Sequence, residues 1–141
     1  MVASALVDTS ALLAILDRDD PWHARCASAF EALRPPLMSS AAVLAELFHL
    51  LGSNRRDVSV AWRFLRSGAV TIGRIDDDDV AALARLMDRY HDRPMDFADA
   101  TLVHVAERES ITTVLTVDND DFETYRIGAR KRFRVLPGRA R

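Results

Sequence analysis

Four acidic residues occupy positions from which their carboxylates could form one site. Asp8 and Asp118 each come at or just after the end of a short apolar or β-branched run, residues 4–7 and 112–117. Such runs predict strands, and ligands of a parallel sheet bind at the carboxyl ends of its strands. The two carboxylates are therefore expected to share a crevice. Buried carboxylates repel one another and are costly unless a cation compensates for their charge.

Asp99 interrupts the apolar face of the helix predicted over residues 95–109. With Leu102 set at zero on a helical wheel, Asp99 falls at about 60°, inside the apolar arc. Since helix N-termini open onto the carboxyl edge of a βαβ sheet, an inward Asp99 can join the same crevice. Glu46 lies at the border of the apolar stripe of the helix predicted over residues 41–51, so it can reach the rim of the core.

Each of these acids also has an ordinary structural explanation. Asp8 could cap the helix that follows it, and Asp118 could form a turn. A Glu at the border of a stripe, such as Glu46, usually reaches solvent. Asp99 could be a first-turn acid favoured by the helix dipole after an N-cap at Asp96, but that role prefers an exposed face. The position of Asp99 therefore favours function.

Oxygen-only ligand sets of Asp and Glu suit Mg²⁺ or Mn²⁺ rather than zinc. The sequence contains neither a CxxC nor an HExxH motif. Its histidines have no ligand spacing and are expected at the surface; they are His23, His49, His91 and His104. Mg²⁺ held by few carboxylates keeps waters and binds substrate phosphates, which indicates phosphoryl chemistry.

Strand-like and helix-like segments alternate along the chain. Strands are predicted over residues 4–7, 36–40, 69–75, 112–118 and 131–136. Helices are predicted over residues 10–17, 20–34, 41–51, 57–67, 76–90 and 95–109. This alternation predicts an α/β fold with a parallel sheet covered on both faces. No repeat or low-complexity linker divides the 141 residues, so one domain over residues 1–141 is expected.

The composition excludes several classes of protein. A hydrophobic content of 49% and a charged content of 28% are ordinary for a soluble protein, and no apolar run reaches the roughly 20 residues of a membrane helix. The N-terminus lacks a basic region and meets Asp8 early, unlike a secretory signal. One cysteine, Cys26, allows no internal disulfide, which fits a reducing cytoplasm. Cys26 is expected in the core. Trp22 and Trp62 are expected there as well, with stacking on bases as their alternative role.

Charge is unevenly distributed. Residues 126–141 hold seven basic and no acidic residues, which leaves twelve basic against twenty-one acidic residues in the rest, a balance of −9. The basic end could be a solvated tail. It could equally be an electrostatic footprint for a polyanion. Charge alone does not decide between the two.

Four segments together resemble the PIN-domain family, specifically the VapC type of toxin in bacterial toxin–antitoxin pairs. They are LVDTSALLAILD at residues 6–17, AAVLAELFHLL with Glu46, MDFADATLVHVA with Asp99, and VLTVDNDDF at residues 114–122. The resemblance implies a PIN-like three-layer α/β/α sandwich with a short, mostly parallel central sheet. It also implies a cytoplasmic, Mg²⁺- or Mn²⁺-dependent endoribonuclease that leaves 5′-phosphate and 3′-hydroxyl ends, forms homodimers and is inhibited by a VapB-type antitoxin.

Matching motif to motif assigns roles to residues of this chain. The catalytic and metal-binding positions are Asp8, Glu46, Asp99 and Asp118. Supporting positions around them are Asp96, Thr9 and Ser10. Candidates for gathering the RNA backbone are Arg130, Lys131, Arg132 and Arg134. Asp121 is expected to cap or form a turn rather than to bind metal.

Other protein classes also place an Asp after a parallel strand. A haloacid-dehalogenase-like site needs a second Asp two residues after the first, and Ser10 stands there; a receiver needs a Lys after a late strand, and Lys131 is the sole Lys. A catalytically silent PIN-like binding module and a nuclease of RNA processing remain as alternatives. DNA as the substrate is not excluded by the carboxylates.

Overall fold

The computed structural model describes residues 3–93, 95–128 and 130–139. Within them, five strands form one sheet in the order β3-β2-β1-β4-β7, and every neighbouring pair is parallel. These strands are β1 (Leu6–Val7), β2 (Leu37–Ser40), β3 (Val70–Gly73), β4 (Thr113–Thr116) and β7 (Arg134–Pro137). A separate antiparallel ribbon pairs β5 (Arg126–Ile127) with β6 (Lys131–Arg132). The expected short parallel sheet is confirmed.

Helices connect consecutive strands of the sheet and cover it. They are α1 (Thr9–Leu16), α2 (His23–Ala32), α3 (Ala41–Leu51), α4 (Arg55–Arg66), α5 (Val80–Arg89), α6 (Phe97–Glu109) and α7 (Asn119–Thr124). The strand order makes the chain step outward from β1 to β3 and then cross back to β4. Because such crossovers are right-handed, α1 to α4 and α5 to α6 lie on opposite faces. The result is the expected three-layer sandwich.

The core is built from strands that are apolar on both faces and from the inner stripes of the helices. Leu6, Val7 and Leu115 are at most 1% exposed, as strands covered on both sides require. Helix α6 approaches the sheet closely, since a Cβ added to Gly73 would lie 3.0 Å from a methyl of Val105. Glycine at this position therefore allows the contact that brings the first turn of α6 to the carboxyl edge.

Most predicted elements begin or end a few residues from the observed bounds, and helix α7 and strand β5 were not predicted. Two of the differences have a visible cause. Helix α2 begins at His23 rather than near Asp20, because the Asp20 carboxylate accepts a hydrogen bond from the Trp22 N–H at 2.8 Å and so closes a turn before the helix. The strand predicted over residues 131–136 is two strands, since Phe133 is buried between the antiparallel ribbon and β7.

Some burial expectations are confirmed and others are wrong. Cys26 is fully buried, as expected. Trp62 is 49% exposed and not a core residue; it packs beside Phe48 on neighbouring helices. His104 is not a surface residue, because its side chain is 15% exposed and its Nε2 lies 2.8 Å from an Asp79 carboxylate oxygen. No helix among the described residues has the combination of length and apolarity needed to span a bilayer.

Candidate active site

Asp8 lies directly after β1 and begins helix α1. Its carboxylate accepts the Thr9 N–H at 2.8 Å and the Thr116 hydroxyl at 3.0 Å. The N-cap role and a buried position at the carboxyl edge are therefore combined in one residue, which is 4% exposed. Burial raises the pKa of Asp8 to about 7, with smaller contributions from the charges of Asp118 and Glu46.

Thr116, at the end of β4, joins three parts of the site, and the sequence analysis did not identify it. Its hydroxyl donates to Asp8, so its oxygen is left to accept from the Asp118 N–H at 2.9 Å and from the Ser10 hydroxyl at 3.2 Å. Ser10 in turn accepts the Val117 N–H at 3.1 Å. This network fixes the end of β4 to the start of α1, and it is the environment in which Ser10 was expected to act.

Asp99 lies in the first turn of α6 and is 8% exposed. Its Oδ2 accepts the Tyr125 hydroxyl at 2.8 Å, and its backbone N–H is capped by the Asp96 carboxylate at 2.8 Å. Burial raises the pKa of Asp99 to about 8, and the charges of Asp8 and Asp96 add to that increase. The same environment raises the pKa of Tyr125, chiefly by burial and then by the Asp99 charge. Asp99 is therefore the inward acid that the helical pattern predicts.

Asp118 follows β4 and, unlike the two buried acids, is exposed to solvent. Partial burial raises its pKa, followed by the charges of Asp121, Asp96 and Glu46. Glu46, half-buried on α3, thus acts electrostatically on both Asp8 and Asp118. Carboxylates from separate elements therefore lie close enough to affect one another's protonation, all at the carboxyl edge of the sheet.

The donor set at this edge consists of carboxylate and hydroxyl oxygens. Hard divalent cations prefer such donors, and a cation would relieve the repulsion that raises these pKa values. No three of the described His, Cys, Asp and Glu side chains form a ready-made metal site. The chemistry of the donors, rather than a finished coordination geometry, is what fits Mg²⁺ or Mn²⁺.

Thr9 supports the site through its backbone N–H, while its hydroxyl donates to the Val43 carbonyl at 3.4 Å. Asp121 was expected only to cap or turn. Its carboxylate instead pairs with Arg93 at 3.3 Å, and its charge raises the pKa values of Asp99 and Asp118. The acidic run that follows Asp118 is the one sequence signal for this role.

The four basic RNA-binding candidates lie away from the acidic residues. Arg134 pairs with Thr113 at the amino end of the sheet. Thr113 lies about 10 Å along β4 from Thr116, which is at the carboxyl edge. The turn of the β5–β6 ribbon passes the C-terminal end of α6, where a Cβ on Gly128 would lie 3.7 Å from Glu107. Asp99 is at the opposite end of that helix. Arg130, Lys131 and Arg132 belong to this ribbon or its turn and are exposed, as is Arg134; that these four residues bind RNA stays a prediction.

Comparisons with known proteins agree with this geometry. The model of the PIN domain family matches residues 5–127. Ribonuclease VapC26 of Mycobacterium tuberculosis (strain ATCC 25618 / H37Rv) is 33% identical over 134 residues, which cover 94% of this chain and 99% of that protein. The crystal structure of Mycobacterium tuberculosis VapC20, described as a toxin that cleaves the sarcin–ricin loop, superposes with a TM-score of 0.74 at 25% identity, covering 83% of this chain and 92% of that one. The chain therefore belongs to the PIN-domain family, among the VapC-type ribonucleases.

Proposed function

We propose that this chain is a VapC-type toxin, one domain over residues 1–141 that cuts RNA phosphodiester bonds with the help of Mg²⁺ or Mn²⁺. The observation that carries the proposal is the convergence of Asp8, Asp99 and Asp118 on one sheet edge, where burial and mutual repulsion raise the pKa of each. Mutually repelling carboxylates do not stabilise a fold. Their presence at this edge is explained by a function that needs negative charge there.

Asp8, Glu46, Asp99 and Asp118 are the residues proposed to hold the cation, with Asp96 close by. When bound, a divalent cation supplies Lewis acidity toward phosphate oxygens and lowers the pKa of water. The same residues fit Mg²⁺ and Mn²⁺ equally, because both prefer oxygen ligands.

The chain's own residues orient the charges at which the RNA must arrive. Thr9 and Thr116 hold both oxygens of Asp8. The Tyr125 hydroxyl holds Oδ2 of Asp99, so Oδ1 is the oxygen that remains to face the crevice. Asp118 is exposed and is therefore the acid best able to reach a substrate from solvent. Orientation by surrounding hydrogen bonds is a general requirement of carboxylate sites of this kind.

Incubation with RNA and Mg²⁺ tests the proposal. Total RNA, an RNA containing the sarcin–ricin loop and a single-stranded DNA are each mixed with wild type, Asp8→Asn, Asp99→Asn and the matched control Asp88→Asn. Asp88 is an exposed acid on α5, and its charge is not among those that raise the pKa of Asp8, Asp99 or Asp118. We expect wild type and Asp88→Asn to cut RNA to 5′-phosphate ends and both site variants to lose at least 100-fold in rate, about the effect of a damaged metal site. Full activity in both site variants would refute the assignment.

We also propose a VapB-type antitoxin as the partner, because both relatives are VapC proteins. A cleft of about 810 Å³ near the ends of α1 and α3 offers a mixed apolar and charged surface; its apolar residues are Leu13, Leu16, Leu50, Leu51 and Val60. Homodimer formation and a cytoplasmic location are proposed with it. Sedimentation of the chain alone and with the co-expressed antitoxin measures both assemblies.

A further inference from the structure

A second cleft, of about 340 Å³, opens beside Asp118. We call it the Asp118 cleft, and its lining residues are Trp22, Val117, Asp118, Asn119, Asp120 and Arg139. It therefore places an aromatic side chain, an amide and a guanidinium next to a proposed catalytic carboxylate. The structural roles described so far leave three of these groups unexplained: Trp22, Asn119 and Arg139.

Asn119 is buried, with 7% of its surface exposed. Its Nδ2 donates to the Val117 carbonyl at 3.2 Å, while Oδ1 has no hydrogen-bond partner among the described residues. A buried acceptor without a donor costs about 1 to 3 kcal/mol. Protein atoms cover Oδ1 in this conformation, so a donor in the cleft reaches it when the Asn119 side chain turns toward the cleft, and the amino and imino groups of nucleobases are donors of that kind.

Arg139 provides positive charge at the rim of the cleft. Its Nη2 lies 2.6 Å from carboxylate oxygens of both Asp120 and Glu123. A guanidinium carries five N–H donors, and both of these ion pairs use the same nitrogen, so the group can also contact a phosphate. Its side chain is 59% exposed, which leaves it accessible to a ligand.

Arg25 holds Arg139 and Trp22 in place together. Its Nη2 donates to the carbonyls of Gly138 at 3.1 Å and Arg139 at 3.0 Å. Its guanidinium carbon also lies 4.7 Å from the centre of the Trp22 ring. The half-buried Arg25 thus ties the backbone of Gly138 and Arg139 to the aromatic side of the cleft, which makes the cleft a built feature rather than a loose surface.

We propose that the Asp118 cleft binds the nucleotide next to the scissile phosphodiester. The base lies against Trp22 and donates to Oδ1 of Asn119, and Arg139 contacts the backbone phosphate. Aromatic contact, base-edge hydrogen bonds and arginine are the usual means of holding single-stranded RNA. The proposal rests on the proposed ribonuclease function and names positioning residues for it, since none of the three groups carries the acidic chemistry.

Binding of a short single-stranded RNA to Asp8→Asn protein in Mg²⁺ tests the phosphate contact. Fluorescence anisotropy at several salt concentrations compares Arg139→Gln with the control Arg66→Gln, an exposed arginine in the last turn of α4. We expect Arg139→Gln to weaken binding about five- to tenfold and to reduce the slope of log Kd against log salt by about 0.7, the value for one phosphate contact on a single strand. Arg66→Gln should leave both the Kd and the salt slope unchanged. Equal effects of the two substitutions would overturn the proposal.

Tryptophan emission tests the base contact. Trp22 and Trp62 are the two tryptophans of the chain, so Trp62→Phe leaves Trp22 as the reporter and Trp22→Phe leaves Trp62. We expect RNA to quench Trp22 emission with the Kd found by anisotropy, and to leave Trp62 emission unchanged. Unaltered Trp22 emission at saturating RNA would refute the base contact. These measurements need no cleavage. If RNA binding depends on Arg139 but the wild-type protein cuts no RNA, the ribonuclease proposal is refuted and the RNA-binding role of the cleft is not.

Discussion

Asp99→Asn should stabilise the metal-free protein, although it removes a buried hydrogen-bonding group from the site. The folded pKa of Asp99 is about 8, against an ordinary value of 3.8. Because the folded pKa is raised, the folded state binds the extra proton between these values, and stability falls as pH rises from about 4 to about 8. Between the unfolded pKa of 3.8 and pH 7, only the unfolded state loses the proton. This difference over about three pH units lowers the free energy of unfolding by about 4 kcal/mol at pH 7.

The substitution removes this penalty and introduces smaller losses. The Asn side-chain oxygen can still accept the Tyr125 hydroxyl that now binds Asp99 at 2.8 Å. Asp99 is mostly protonated in the folded state at pH 7, so no helix-dipole interaction is lost, but the new amide N–H groups cost about 1 to 3 kcal/mol where they lack an acceptor. We therefore expect a net gain of about 1 to 3 kcal/mol at pH 7.

Urea unfolding of wild type and Asp99→Asn in EDTA, from pH 4 to pH 9, measures the gain. The difference between the two proteins should be small near pH 4 and should grow toward pH 8, because the wild-type penalty appears only as the unfolded carboxyl loses its proton. Asp88→Asn serves as the exposed control and should show no such trend. A variant less stable than wild type at every pH would refute the assignment of Asp99 as a buried, repelled acid.

Three further predictions concern the same edge of the sheet. Mn²⁺ should raise the melting temperature of wild type, by the equivalent of about 2.7 kcal/mol at a hundred times Kd, and should raise that of Asp99→Asn much less. Equal shifts would contradict Asp99 as a metal ligand, and no shift in wild type would favour a silent binding module. Thr116→Val should lower the free energy of unfolding by about 1 to 3 kcal/mol, because the Thr116 hydroxyl donates to Asp8 and accepts the Asp118 N–H. The control Thr113→Val, at the other end of β4, should change the free energy of unfolding by less than about 0.5 kcal/mol. Urea titration of the two variants measures both values. Loss of the Thr116 hydroxyl should also move the acidic limb of the pH–rate profile upward, since that hydrogen bond lowers the pKa of Asp8.

Much of the fold follows from local patterns in the sequence. Residues 112–117 are β-branched and apolar, and the helices carry stripes at helical spacing, so both the element types and their alternation can be predicted. Asp99 could be identified from its own helix, because a charge inside an apolar arc conflicts with burial unless a function or a partner explains it. The motif order added Glu46, whose helical position alone was ambiguous.

Other features depend on contacts between residues far apart in the chain. Thr116 and Tyr125 were not identified, since a Thr in a strand and a Tyr after a short helix have no distinctive spacing. The location of the basic residues depends on such contacts too: net charge does not say which edge of the sheet a residue reaches, and the register with β4 puts Arg134 at the amino end. Arg139 lies beside Asp118 instead.

The sequence by itself determined the order of strands and helices and the acidic character of the site, because hydrophobic periodicity and residue type act locally. Tertiary structure decided which carboxylates are buried and which hydroxyl groups orient them. It also decided that Arg139 lines the cleft beside Asp118. These properties depend on strand register and on the closeness of helix packing, and both are set by the whole core rather than by any one segment.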